Sequence, residues 1–320
     1  DGQEQFLLNA GVAREEFEEY LVEEDEETAE YLLNNQGYFI AYNHLYSTWL
    51  AKGTDFNVGD VRDALSAFAR HISPKHEDVF QGIFETLQTG LSNFGENAVS
   101  QTKAIRQILT LIKDIPMDGR QGYDVLGFIY EYLIANFAAN AGKKAGEFYT
   151  PHEVSLLMSR IIAKHLEGRP EIQIYDPTSG SGSLLLNIGQ AVARQMGNPD
   201  KIKYYAQELK SNTYNLTRMN LVMRGIKPYN IVARNGDSLE QDWPMFDEHD
   251  PTGTSQALYV DAVVSNPPYS QHWSPADKEN DPRYSRFALA PDSKADYAFL
   301  LHARFPAKRG GTMTPVLPPG

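Results

Sequence analysis

Ile172-Gln173-Ile174-Tyr175-Asp176-Pro177-Thr178-Ser179-Gly180-Ser181-Gly182-Ser183 is the stretch that decides the fold. An apolar run, small residues with glycines spaced G-x-G, and then the apolar segment Leu184 to Met196 read as strand, tight loop and helix. That is the opening of a βαβ unit, where a nucleotide-like ligand lies over the loop. No Lys follows the glycines, so this is not a Walker loop. An acid, Asp176, ends the strand, and the spacing is not that of a dinucleotide fingerprint. A carboxylate there repels a pyrophosphate but suits a ligand carrying an ammonium and a sulfonium, which points to S-adenosylmethionine. The bland alternative is a glycine turn that only closes strand against helix.

Two further acids arrive where such a ligand needs them. Lys203 to Gln207 reads as a second strand ending at Glu208, placed to accept from both ribose hydroxyls. A third strand, Asn230 to Ala233, runs into Asn235-Gly236-Asp237-Ser238, and Asp237 is placed to accept from an adenine amine. Singly, each acid also reads as a helix cap or solvated turn. Together they fit the rule that open α/β sheets bind ligands at the carboxyl edge. Upstream, Gly146-Glu147-Phe148-Tyr149-Thr150-Pro151-His152-Glu153 opens a helix with apolar positions Val154, Leu157, Met158, Ile161 and Ile162. Thr150 as N-cap, Pro151 at the first helical position and Glu153 two residues on make a capping box. Capping leaves Phe148 and Tyr149 to pack on the donor, with a hydrophobic staple as the other reading of Phe148.

Asn266-Pro267-Pro268-Tyr269 follows the apolar run Val260 to Val264, at the end of a buried strand. An exocyclic amine such as adenine N6 is a poor nucleophile because its lone pair is delocalised. An Asn oxygen and the neighbouring backbone carbonyl each accept one N–H, drawing the nitrogen towards a tetrahedral geometry. The two prolines hold those acceptors in place. The Tyr269 ring supplies a stacking face for a base taken out of its duplex. The competing reading is a plain Asn-Pro turn.

In this order, Glu147 to Pro151, Asp176 to Ser183, an acid after the second strand, Asn235 to Asp237 and Asn266 to Tyr269 resemble the amino-methyltransferases of DNA. The pattern closely resembles the modification subunit of type I restriction-modification systems. The likeness runs from about Leu33 to the last residue and takes in Ala298 to His302 and Gly310 to Pro318. It implies a Rossmann-like S-adenosylmethionine-dependent methyltransferase sheet, preceded by an α-helical N-terminal domain. It implies a donor site at Phe148, Tyr149, Thr150, Asp176, Ser179, Glu208 and Asp237. Glu147, Pro151, His152, Thr178, Gly180, Ser181 and Asn266 complete that site, and Asn266, Pro267, Pro268 and Tyr269 form the catalytic grip. It also implies a flipped adenine in DNA as substrate, a specificity subunit holding two copies of this chain, and a restriction-translocase subunit. A protein-glutamine methyltransferase and a non-catalytic assembly subunit are the alternatives. The chain departs from the family at Ser179, often Cys there, at Ser183, often Gly, and at Thr314-Pro315, where an aliphatic residue is usual. Because Pro cannot donate to a ladder, that last strand suits an edge better than a centre. The family continues past Pro318 with further strands and a helical tail, so an incomplete chain is expected.

With 320 residues, 42% of them hydrophobic and 11% aromatic, there is length for two domains. The periodicity is helical from Asn35 to about Ala141. Val61, Leu65, Phe68, Ala69 and Ile72 follow an Asp60 cap; further stripes are Ile105, Ile108, Leu109, Ile112 and Leu126, Ile129, Tyr130, Leu133, Ile134, Phe137. Residues 140–146 read as a linker, giving a helical domain over 1–145 and a methyltransferase domain over 146–320. The absence of Cys excludes a disulfide framework and the thiol nucleophile of cytosine C5 methylation. The eight His show no metal-ligand spacing. No apolar run approaches membrane-spanning length, so a cytoplasmic protein is expected. A net charge of -13 opposes binding to a polyanion. Much of it lies in the first thirty residues, read as a solvated helix face or a mobile arm. From Ser270 to Ser293 the chain is polar, with Trp273, Tyr284 and Phe287, and reads as a loop over the flipped base or as disorder.

Overall fold

The computed structural model describes residues 2–23, 25–115, 129, 132–133, 150–240, 257–269, 271–292 and 294–317. The chain divides into two compact units, Asp1–Val125 with Lys227–Tyr229, and Leu126–Ile226 with Asn230–Gly320. Glu147, Phe148, Tyr149, most of the stripe from Leu126 to Phe137, and the linker at 140–146 lie outside the described residues.

The first unit is helical. Leu7, Phe17, Leu21, Leu32, Phe39 and Leu45 form one apolar cluster, and Phe56, Val58, Val61, Leu65, Leu91 and Ile105 another. The acidic N-terminal stretch is therefore a solvated face and not an arm. Its Leu7, Phe17 and Leu21 are core, while Glu15, Glu16, Glu18, Glu19 and Glu23 stay exposed. Gln3 closes it by exchanging two hydrogen bonds with the Ile40 backbone, at 2.6 and 2.8 Å. Asp25 caps α1 (Glu26–Gln36), accepting from the Thr28 N–H at 3.2 Å. Helix α2 (Val58–Arg70) is capped by Asn57, not by Asp60 as the apolar spacing suggests. Asn57 accepts from the Gly59 N–H at 2.8 Å, and Asp60 accepts from the Asn57 N–H at 2.7 Å. Asp60 is thus the reciprocal partner of a capping box. The buried face of α2 runs through Val61, Ala64, Leu65 and Phe68, and Ala69 is exposed. On α3 (Ala98–Ile112) Ile105 is buried, but Ile108 is exposed and Leu109 only half-buried.

The second unit is built on a parallel sheet ordered β3-β2-β1-β4-β5. Its strands are β1 (Ile172–Asp176), β2 (Ile202–Glu208), β3 (Ile231–Asn235), β4 (Val260–Ser265) and β5 (Ala307–Pro315). Helices α4 (His152–His165), α5 (Ser183–Met196), α6 (Ser211–Met223) and α7 (Asp296–Arg304) complete it. Every residue of β4 is buried, as expected of a parallel strand covered on both faces. Strand order reverses between β1 and β4, which leaves a crevice at their carboxyl ends. Pro315 pairs with Ser265 in register and lies on an edge strand of the described sheet, where a missing N–H is tolerated.

Two glycines are required by geometry. Gly182 turns the chain into α5 with φ +79, a left-handed conformation that a Cβ disfavours. Gly189 lets α5 lie against β2, since a Cβ there would come within 2.2 Å of the Tyr204 hydroxyl. Gly189→Ala is expected to lower stability by about 1–3 kcal/mol through overpacking. Chemical denaturation checks this, and an unchanged midpoint would show that Tyr204 yields freely.

Among the described residues 271–292, the stretch after the strand β4 is packed rather than disordered. Trp273 and Tyr284 are buried, their rings 5.7 Å apart, in a cluster with Leu239, Ala298, Phe299 and Leu301. Only Phe287 of its three large aromatics is exposed.

Candidate active site

A cavity of about 260 Å³ opens at the crevice between β1 and β4. Thr150, Asp176, Thr178, Ser179, Gly180, Ser181, Glu208, Asp237, Asn266 and Pro268 line it, all of them marked out in the sequence. Pro151 is exposed, Pro267 is buried, and neither lines the cavity; nor does Tyr269. His152 begins α4.

The loop after β1 is held from below by backbone and from the side by α6. The Ser179 N–H donates to the Gln207 carbonyl at 2.9 Å, and the Gly180 N–H donates to Glu208 Oε2 at 3.0 Å. Thr217 of α6 donates to the Gly180 carbonyl at 2.6 Å, so Ser179 Oγ, 3.1 Å away, donates to Thr217. Asn220 donates to the Ser181 carbonyl at 2.8 Å. Neither helix residue stands out in the sequence. A polar face on an otherwise sheet-packed helix is the only available signal.

The three acids occupy different environments. Asp176 is 1% exposed. Its Oδ1 accepts from the Thr178 N–H at 2.9 Å, while Oδ2 is buried without a hydrogen-bond partner. Burial pushes its carboxyl up to about 7; the Thr178 N–H opposes this and the Glu208 charge adds to it. Glu208 accepts from Gly180 with one oxygen and from the Lys210 N–H, at 3.0 Å, with the other. It shapes the loop as well as facing the cavity. Asp237 accepts from the Leu239 N–H at 2.9 Å and caps its turn while lining the wall. Each acid thus keeps a turn-forming role beside its place at the cavity.

Asn266 closes the far side. Its Nδ2 donates to Thr150 Oγ1 at 3.1 Å, and its Oδ1 accepts from the Tyr269 hydroxyl at 3.0 Å. Thr150 is therefore not a helix cap: α4 begins at His152, its N-cap is Pro151, and no side chain caps it. The hydroxyl that the capping-box reading assigns to the helix faces Asn266 instead. Burial raises the Tyr269 phenol above its ordinary range, with the Asp296 charge contributing.

A buried polar chain pins the segment that follows residues 266–269 to the sheet. Arg283 pairs with Asp281 and donates to the carbonyls of Ser238, at 2.6 Å, and Leu239, at 3.2 Å. Ser238 in turn donates to the Pro177 carbonyl at 2.6 Å. Arg283 also lies 3.0 Å from His302 Nδ1. A guanidinium only donates, so Nδ1 accepts and the ring carries its proton on Nε2. That proton faces Tyr175 Oη at 3.0 Å, which donates to Gln207 Oε1 at 2.7 Å. Burial and the Arg283 charge hold His302 well below the ordinary histidine range, so it stays neutral. Gln271 and Phe299 also line the cavity, and polar composition or core spacing hides both. No group of three or more His, Asp or Glu among the described residues could hold a metal ion.

The methylase subunit of the type I restriction enzyme MpnII from Mycoplasma pneumoniae is 32% identical over 301 residues, 89% of this chain and 54% of that protein. The HindI methylase subunit of Haemophilus influenzae is 28% identical over 198 residues, 62% of this chain and 41% of that protein. The type I restriction-modification methyltransferase subunit from Streptococcus thermophilus has a similar structure, with TM-score 0.77 and 34% identity over 94% of this chain and 61% of that one. A putative class I S-adenosylmethionine-dependent methyltransferase from Listeria monocytogenes shares the fold, with TM-score 0.52 and 16% identity over 76% of this chain and 73% of that one. The chain thus spans 54% of the MpnII subunit and 61% of the S. thermophilus one. Residues 121–320, which take in the whole sheet unit, match the model of the N-6 DNA Methylase family, and the chain belongs to that family.

Proposed function

We propose that the chain is the modification subunit of a type I restriction-modification assembly and moves a methyl group from S-adenosylmethionine to adenine N6 in DNA. The observation that carries this reading is Asn266: an amide anchored at both ends, at the carboxyl end of a buried strand, beside a cavity lined by Asp176, whose Oδ2 is buried without a hydrogen-bond partner.

The residues fit the donor. Asp176 Oδ2 lacks a partner in a cavity where an ammonium would supply one. Glu208 faces the same space with acceptor-only oxygens, suited to ribose hydroxyls, and Asp237 with one suited to an adenine amine. S-adenosylmethionine supplies a methyl on a sulfonium, an already activated leaving group. The protein's task is positioning. The Asn266 Oδ1 accepts one N6 proton of the target and the Pro267 carbonyl the other, which localises the nitrogen lone pair. One lone pair of Oδ1 is taken by the Tyr269 hydroxyl, and the second is left for the amine. The Tyr269 ring stacks on the extruded base. The kinship with DNA methylases argues against a glutamine amide as substrate, and the complete tetrapeptide argues against a purely structural subunit.

A net charge of -13 gives the chain little attraction for phosphate on its own. The names of its relatives as subunits of restriction enzymes support a division of labour, in which a specificity subunit holding two copies of this chain reads the DNA and a restriction-translocase subunit joins it. Among the described residues no helix is long and apolar enough to cross a membrane, in keeping with work on DNA in the cytoplasm. The full-length protein by itself is expected to bind duplexes weakly, with steep salt dependence and no sequence preference, and to methylate little. With the proteins encoded beside it, digestion of treated DNA should yield N6-methyl-2′-deoxyadenosine, confined to one sequence. Specific, efficient methylation by the isolated subunit would overturn the division of labour; a different modified nucleoside would overturn the chemistry.

A further inference from the structure

We propose that Thr150 is a positioning residue that holds the Asn266 amide at the torsion in which it meets the target amine. This rests on the methyl-transfer reading and assigns a part to a residue whose sequence context suggests a helix cap or a donor ligand.

The need follows from the side chain itself. The amide is free to turn about its last torsion, and its oxygen accepts an N6 proton only while that torsion is held. Pro267 and Pro268 stiffen the backbone but exert no hold on that torsion. Two hydroxyls supply it, one at each end: Tyr269 donates to Oδ1 at 3.0 Å and Thr150 Oγ1 accepts from Nδ2 at 3.1 Å. Tyr269 is three residues away in the same turn and moves with Asn266. Thr150 belongs to a different element, 116 residues away in sequence, and gives the amide an external reference.

Thr150 is suited to that part. It is 8% exposed, so water competes little for its hydroxyl. It precedes Pro151, whose φ of -53 is set by its ring, and α4 begins at the next residue. Its hydroxyl is not spent on capping that helix.

The test uses the complete methylating assembly with Thr150→Val, which keeps the shape and removes the hydroxyl, and Thr150→Ser, which keeps the hydroxyl. Thr150→Val is expected to lower kcat about three- to tenfold, the worth of one neutral hydrogen bond, with donor KM and donor affinity within about twofold. Thr150→Ser should restore kcat to within about twofold of the parent. An unchanged kcat in Thr150→Val overturns the proposal, as does equal impairment of both variants. A loss confined to donor affinity would make Thr150 a donor ligand and also overturn it. A readout independent of activity separates this from the functional reading. In protein labelled with nitrogen-15 at asparagine, the Asn266 side-chain amide signals should shift in Thr150→Val and hold in Thr150→Ser. If the assembly does not methylate adenine yet those signals behave so, the positioning contact stands and the assigned reaction fails.

Discussion

Asn266→Ala is expected to lower the methylation rate by at least about 10²–10³-fold while leaving donor affinity within about twofold. The magnitude is that of removing one preorganised polar group from a developing charge in a water-poor site. Nitrogen becomes cationic as it takes the methyl group, so an acceptor on its N–H counts for more in the transition state than in the ground state. The effect therefore belongs in kcat rather than in donor binding. Tyr269 separates the two contributions of its side chain. Tyr269→Phe keeps the stacking face but loses the 3.0 Å bond to Oδ1, for an expected loss of several-fold. Tyr269→Ala also loses stacking, worth roughly 1–3 kcal/mol for a base on an aromatic ring, and should retain little activity. Single-turnover rates with donor titrations by calorimetry measure both. Near-parental turnover by Asn266→Ala would mean that the amine is activated elsewhere.

The first four strands are legible in the sequence because each is a short, mainly apolar segment, and the acids Asp176, Glu208 and Asp237 fall at or just after the ends of the first three. The placement of Asp176, Glu208 and Asp237 at one edge follows from that pattern alone, since parallel strands separated by helices present their carboxyl ends on one side. Thr150 misleads for a specific reason. The pattern Thr-x-x-Glu before an apolar helix is the same whether the hydroxyl turns to the helix or to a partner 116 residues on. Sequence carries the local option and not the distant one. The segment after Tyr269 misleads because its composition is polar. It is ordered by a few buried groups, Trp273, Tyr284 and the Asp281–Arg283 pair, that make up a small share of its length. In the helical unit Asn57 and Asp60 both carry a capping oxygen; which one caps depends on where the apolar face begins, and Val58 is already core. The supporting polar residues Thr217 and Gln207 carry no motif, and the family likeness over Ala298 to His302 marks His302 without giving it a part. They become identifiable only when the fold brings them against the loop carbonyls and the Arg283 guanidinium.

Donor affinity is expected to fall as pH drops below about 7, by up to roughly tenfold per unit, and Asp176→Asn is expected to remove that dependence. The buried carboxyl is pushed up to about 7, so near neutrality a large fraction of it is protonated in the free protein. A ligand with an ammonium and a sulfonium prefers the ionised form, and between pH 5 and 7 both of those charges are in place. Binding at lower pH must therefore release the Asp176 proton. The sign for the free protein is the reverse. A folded pKa raised above the unfolded value of 3.8 contributes stability that is present below 3.8 and lost as pH rises through 7. Stabilisation by the donor should thus be greater near pH 7.5, where the free protein is weakened by its buried charge, and should shrink towards pH 5.5. At pH 8, Asp176→Asn should cost about tenfold to a hundredfold in affinity, the range for a hydrogen bond to a charged group. Glu208→Ala should also weaken binding, without flattening the pH profile, because Glu208 holds the Gly180 and Lys210 amides as well as facing the ligand. Calorimetry across this range, in buffers of different ionisation enthalpy, counts the released proton directly. A pH-independent affinity for the parent protein, with Asp176→Asn binding equally well, would remove Asp176 from the donor site and leave its unpartnered oxygen without a purpose.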